Sequence, residues 1–185
     1  TSEENSECYI DLFDMLLVVN TPHNAENCTI RPVFPMVYSD RVITSGFTYT
    51  PLSTDLMTNG DFRYEMTKAL LWGSQPGWVD PRYLMSKEAE REARFLKTLM
   101  DFRRGLHDVL YGGRFLRELT PAGDNPTRHA PGFGDDAAVL ASEWQTPDGR
   151  RVYLVINRDD KAHKVSLPGA GTFRINGLSG KRIDL

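Results

Sequence analysis

Two groups of residues in this sequence are of types that do chemistry. The first is a set of carboxylates: Glu3, Glu4 and Glu7 in the opening Thr1-Ser2-Glu3-Glu4-Asn5-Ser6-Glu7, and Asp40, which ends an apolar stretch. Two carboxylates flanking one bond can divide the work, one donating a proton and the other acting as nucleophile or base, as glycosidic cleavage needs. The second group is Trp72-Gly73-Ser74-Gln75-Pro76-Gly77-Trp78. Indole stacks on apolar C–H faces and an amide satisfies hydroxyls, so this loop suits a polyhydroxylated ring. Tyr38, on a neighbouring stretch, can line the same pocket. Each group has a structural counterpart. Acids ahead of a helix favour its positive end, so Glu3, Glu4 and Glu7 can serve the segment that starts near Tyr9. One of the tryptophans, with Trp72 first in line, is expected in the core, and a buried structural role suits Tyr38 equally well.

Other chemistries lack their residues. No Gly-x-Ser-x-Gly elbow, no phosphate-cradling Gly-Lys-Ser/Thr loop and no His-Glu-x-x-His pair occurs. Gly132-Phe133-Gly134 is too short for a dinucleotide fingerprint. Cys8, His23 and Cys28 lack the paired spacing of a zinc site, so no metal and no cofactor is expected. His107 and His129 are expected to be solvated or to pack. The formal net charge of −3 offers no concentrated basic surface for nucleic acid or an anionic membrane. The longest apolar run, Met15 to Val19, is far below the ~20 residues of a spanning helix. The acidic start is unlike a signal peptide and lacks an initiator Met, so the chain is expected to begin inside a longer reading frame.

The elements fall into two unlike parts. Over residues 1–112, Ile10, Phe13 and Leu17 recur at helical spacing and predict a short helix. Ile30 to Tyr38 is β-branched and aromatic and predicts a strand ended by Ser39-Asp40. Phe62, Met66, Ala69 and Leu70 share one face of a helix capped by Asn59 or Asp61. A long helix is expected from Ser86 to Gly112-Gly113, with Glu88, Glu90 and Glu92 near its start. Residues 113–185 read as strands at 114–119, 137–144, 151–157, 162–167, 172–175 and 181–185. Pro147-Asp148-Gly149 supplies a strong hairpin signal. Trp144, inside an apolar alternation, is expected in the core. This second part predicts an antiparallel β-sandwich.

The order of these pieces resembles the C-terminal end of a bacterial glycoside hydrolase of the α-galactosidase-like type and its uncharacterised relatives. Such an enzyme is a (β/α)8 TIM barrel followed by an all-β domain. Three stretches carry the resemblance: the acidic opening with Tyr9-Ile10-Asp11-Leu12-Phe13-Asp14, then Phe34-Pro35-Met36-Val37-Tyr38-Ser39-Asp40, then Leu70-Leu71-Trp72-Gly73 to Pro76-Gly77-Trp78. The strand Val152-Tyr153-Leu154-Val155-Ile156-Asn157 resembles part of the terminal sandwich. The resemblance implies a fold of α/β plus all-β class, with 1–112 as the barrel's last part and 113–185 as a β-sandwich accessory domain. It implies cleavage of O-glycosidic bonds in an oligo- or polysaccharide, with the sandwich bracing the barrel. Glu3, Glu7 and Asp40 become the candidate catalytic acids, and Tyr38, Trp72, Gln75 and Trp78 the candidate substrate contacts. A secreted or periplasmic setting is slightly favoured. A whole barrel needs ~250 residues, so the missing strands must come from an N-terminal portion or another chain. The competing reading is a non-catalytic carbohydrate-binding or structural module.

Overall fold

The strands β7 (Val139–Gln145) and β8 (Arg151–Asn157) are buried almost without interruption. Ordinary sandwich strands alternate between core and solvent, and continuous burial means that both faces are covered. The computed structural model, which describes residues 10–17, 32–45, 61–76, 81–130 and 134–185, shows what covers them. On one face lie β9 (His163–Leu167) and β10 (Gly171–Ile175), whose Val165, Leu167 and Ile175 pack on Val139, Ala141, Tyr153 and Val155. On the other face, Leu140, Trp144, Val152, Leu154 and Ile156 meet two helices. These are α2 (Asp61–Leu71), which brings Phe62, Met66 and Leu70, and α4 (Glu90–Arg104), which brings Phe95 and Leu99. The protein is therefore layered helix, sheet, sheet, and one hydrophobic cluster runs across Gly112-Gly113.

The two stacked sheets are antiparallel. Adding β3 (Arg114–Leu119), β4 (Ala122–Gly123) and β11 (Ser179–Asp184), the four-stranded order is β11-β8-β7-β3 and the three-stranded order β10-β9-β4. A separate hairpin pairs β5 (Thr127–Ala130) with β6 (Gly134–Ala137). The Pro147-Asp148-Gly149 turn joins β7 to β8 as expected. Thr146 donates its amide to the Arg150 carbonyl at 2.9 Å, and Gly149 takes φ +89°. The Thr146 hydroxyl and Arg150 hold the Asp148 carboxyl down at about 2. The strand expected over 137–144 is β7, while Ala137 ends β6. Neither β4 nor β5 was expected, since Pro121, Pro126 and Pro131 interrupt that region.

The first part departs further from expectation. Where a helix was expected near Tyr9, the chain turns at Ile10–Leu12 and forms β1 (Met15–Leu17). A short apolar run fits either state, and here parallel pairing with β2 (Ile43–Ser45) decides it. The expected strand at 30–38 is instead helix α1 (Val33–Tyr38). Both prolines suit a helix start. Pro32 is the N-cap, and Pro35 lies in the first turn, where amides have no helical partner to lose. The long helix is also shorter than expected. Ser86 accepts the Ala89 amide at 3.3 Å, which caps only the turn ahead of α4. Gly105 ends α4, and α5 (His107–Leu110) fills the space before Gly112-Gly113. A short α3 (Pro81–Leu84) precedes them.

Candidate functional site

Three short parallel segments organise the first part. β1 pairs with β2, and Ser45 at the end of β2 bridges Gln75 in parallel. Parallel neighbours need a crossover connection. Here α1 lies between β1 and β2, and α2 lies between β2 and Gln75. Gln75 is fixed to β2 by its amide, which donates to the Thr44 carbonyl at 2.8 Å. Beside it the Thr44 and Ser74 hydroxyls share a buried hydrogen bond of 2.7 Å. Gln75 itself is half-buried.

The expected site residues separate on this frame. Asp40 is exposed, with Arg41 Nε 3.9 Å away. It sits in the turn between α1 and β2, ahead of a strand. The expectation had it following one, and it fails because residues 33–38 are helical. Tyr38 ends α1, half-buried, with its ring 5.0 Å from Phe34. Tyr38, Thr44, Trp72, Arg103 and Trp144 line a shared cavity of about 10 Å³, room for roughly one water and not for a sugar ring. Trp72 is 7% exposed, which is the core position open to it from the sequence. Glu3, Glu7 and Trp78 lie outside the described residues.

A part-buried charged cluster that the sequence reading did not single out joins α2 to the strands. Tyr64, Lys68 and Trp72 recur every fourth residue and form one stripe of α2 continued past its end. That stripe faces the sandwich. Oε1 of Glu118 on β3 accepts from Lys68 Nζ and from Trp72 Nε1, each at 2.7 Å. Asp136 on β6 lies 3.5 Å from the same ammonium. Lys68 also stands 5.4 Å from the Tyr64 ring centroid, and the Arg158 guanidinium stands 5.2 Å from it. Arg158 is buried but gives its protons to the carbonyls of Ala137, Arg128 and Asp136. Burial pulls Lys68 down, and Tyr64, Glu118 and Asp136 together outweigh it, so its pKa ends above the ordinary value. The signal in the sequence was the stripe itself. Its partner strand carried none.

Burial, with Asp136 and Glu118 adding to it, pushes the Tyr64 phenol from 10.0 up to about 12. Above pH 10 an unfolded tyrosine ionises while the folded one keeps its proton, so stability falls as pH rises from 10 to 12. The loss is roughly 2–3 kcal/mol across that window. Denaturant titrations at pH 9, 10, 11 and 12 should show it for the native chain, and Tyr64→Phe should flatten the slope. An equal slope in both would remove the assignment.

Among the described residues no group of three or more His, Cys, Asp or Glu could hold a metal ion. No described helix is long and apolar enough to cross a membrane.

Residues 1–49 match the model of a family described as a domain of unknown function, DUF6259. No solved structure matches the chain. Over 183 residues, 99% of its length, the chain is 50% identical to a protein of Bacteroides thetaiotaomicron named "Putative glycoside hydrolase", and it spans 27% of that relative.

Proposed function

We propose that this chain is the closing part of a glycoside hydrolase, a (β/α)8 barrel followed by a β-sandwich, that cleaves O-glycosidic bonds with paired carboxylates. The observation that carries the reading is the parallel series β1, β2 and Gln75, taken in chain order with helices between and running on into a sandwich. That is how strand-helix repeats at the end of a barrel are built. The 50% identity to a relative with that printed name supports the same activity.

In this reading the segments that follow β1, β2 and Gln75 border the saccharide. Trp78, three residues after Gln75 in sequence, is the candidate stacking indole, and the Gln75 side-chain amide is the candidate partner of a hydroxyl. Glu3 and then Glu7, which precede β1 in sequence and in this reading belong to the segment after an earlier barrel strand, are the preferred carboxylates of this chain. The second carboxylate comes from the remaining barrel strands, which also complete the parallel sheet. Val33, Met36 and Val37 on α1 and Leu12 are exposed apolar groups, and cover from the rest of a barrel would bury them. The sandwich is a brace. Among the described residues of 113–185, the exposed large hydrophobics include Leu185 and no aromatic ring, so a stacking platform for a binding module is missing there.

The test is hydrolysis of a panel of aryl α- and β-glycosides by the full-length protein, beside the 185-residue chain. Turnover of at least one substrate by the full-length protein, and none by the chain alone, is the expected result. No turnover of any substrate, with no binding on a glycan array, would sink the reading.

A further inference from the structure

The corner Leu71–Gln75 is held by the sandwich and not by the helix alone. Trp144 Nε1 on β7 donates to the Leu71 carbonyl at 3.2 Å and to Ser142 Oγ at 3.0 Å. The Trp72 indole N–H goes to Glu118 on β3. Gly73 takes φ +81° and approaches the Trp144 ring so closely that a β-carbon would stand 2.5 Å from it. Immediately after these contacts come Ser74 and Gln75, which are bonded to Thr44 of β2. One side of the corner is thus clamped to the sandwich and the other carries the last parallel segment.

We infer that Glu118 is a positioning residue for the saccharide site: through Lys68 and Trp72 it fixes the corner from which Gln75 reaches the sugar. This rests on the glycoside hydrolase reading for the identity of the ligand, but not for the mechanics. A charged acceptor shared by an ammonium and an indole is a strong anchor. Glu118 is half-buried where β3 meets α2. Small displacements of a substrate contact have large kinetic effects, since about 1 Å can lower a rate by 10²-fold.

The test uses the full-length protein and three variants. Glu118→Leu removes the acceptor, Trp72→Phe removes the N–H and keeps a smaller aromatic ring, and Glu118→Gln keeps an oxygen that can take both bonds. Two quantities are read: kcat/KM on the best aryl glycoside, and amide exchange at Gln75 relative to amides of β7 and β8. Glu118→Leu and Trp72→Phe are expected to lower kcat/KM about tenfold and to speed exchange at Gln75 about tenfold, with β7 and β8 unchanged. Glu118→Gln is expected to retain most of both. The double variant should be no worse than Glu118→Leu alone, because that variant already removes the acceptor of the Trp72 N–H. Should Glu118→Leu fail to fold, Trp72→Phe carries the same comparison. Wild-type exchange at Gln75 in Trp72→Phe overturns the inference. A full-length protein without glycosidase activity sinks the functional reading instead, and exchange at Gln75 then decides the positioning role by itself.

Discussion

Gly73→Ala is expected to destabilise the chain by about 2–5 kcal/mol, from two separate causes. The first is conformational. Gly73 sits at φ +81°, where a β-carbon crowds the following carbonyl, at about 1–2 kcal/mol for a residue other than glycine. The second is steric. The added carbon would stand 2.5 Å from Trp144, whose ring is fixed by its own N–H bonds and by Phe115, packed edge-on at 5.4 Å. Overpacking of this kind typically costs about 1–3 kcal/mol. For a domain of this size the sum corresponds to a melting temperature lower by about 4–20 °C. Gly73→Asn separates the causes, because asparagine tolerates the left-handed region but carries the same carbon. A loss in Asn close to that in Ala assigns the effect to the indole. A melting temperature within 1 °C of the native one in Gly73→Ala would show that the corner is not packed as described.

The position of Gly73 also shows what the sequence could and could not reveal. The sandwich strands were legible because their evidence is local: Pro147-Asp148-Gly149 needs only itself, and Val152 to Ile156 is apolar whatever it packs against. The same is true of Phe62, Met66, Ala69 and Leu70 on α2. The first part was misread where local signals conflict. Met15-Leu16-Leu17 has no period of its own, and a partner strand at Ile43–Ser45 settles its state. Val33 to Tyr38 has strand-forming residues, but Pro32 and Pro35 are placed as a helix start would have them. Asp40 then fell ahead of a strand and not after one, since its place depended on what preceded it. Glu118 was invisible for another reason. Nothing near it in sequence explains a carboxylate on a strand, and its partner Trp72 is 46 residues away. The stripe Tyr64, Lys68 and Trp72 was there to be read as a polar face, but only the sandwich shows that it is an interior one.

Glu3→Gln in the full-length protein is expected to lower kcat by about 10²–10⁴-fold, the range for loss of a positioned acid or base, and Glu7→Gln is the next candidate for the same loss. Glutamine keeps the size of the side chain and one acceptor oxygen and replaces the titratable oxygen with an amide NH2, so a loss of this size reports chemistry and not packing. The leaving group then identifies the role. A general acid protonates the departing oxygen. A dinitrophenolate leaves without that proton, so loss of the acid should cost little on a dinitrophenyl glycoside and the full factor on an alkyl glycoside. A nucleophile or base is needed whatever departs, so its loss should be equal on both. The two remaining arrangements also differ. Carboxylates about 5–5.5 Å apart give retention through a covalent intermediate, and those about 6.5–9.5 Å apart leave room for water and give inversion. Proton NMR of the first-formed sugar therefore tells which spacing the second carboxylate keeps from this one. Native rates for both Glu3→Gln and Glu7→Gln on the alkyl glycoside would remove Glu3 and Glu7 from the mechanism.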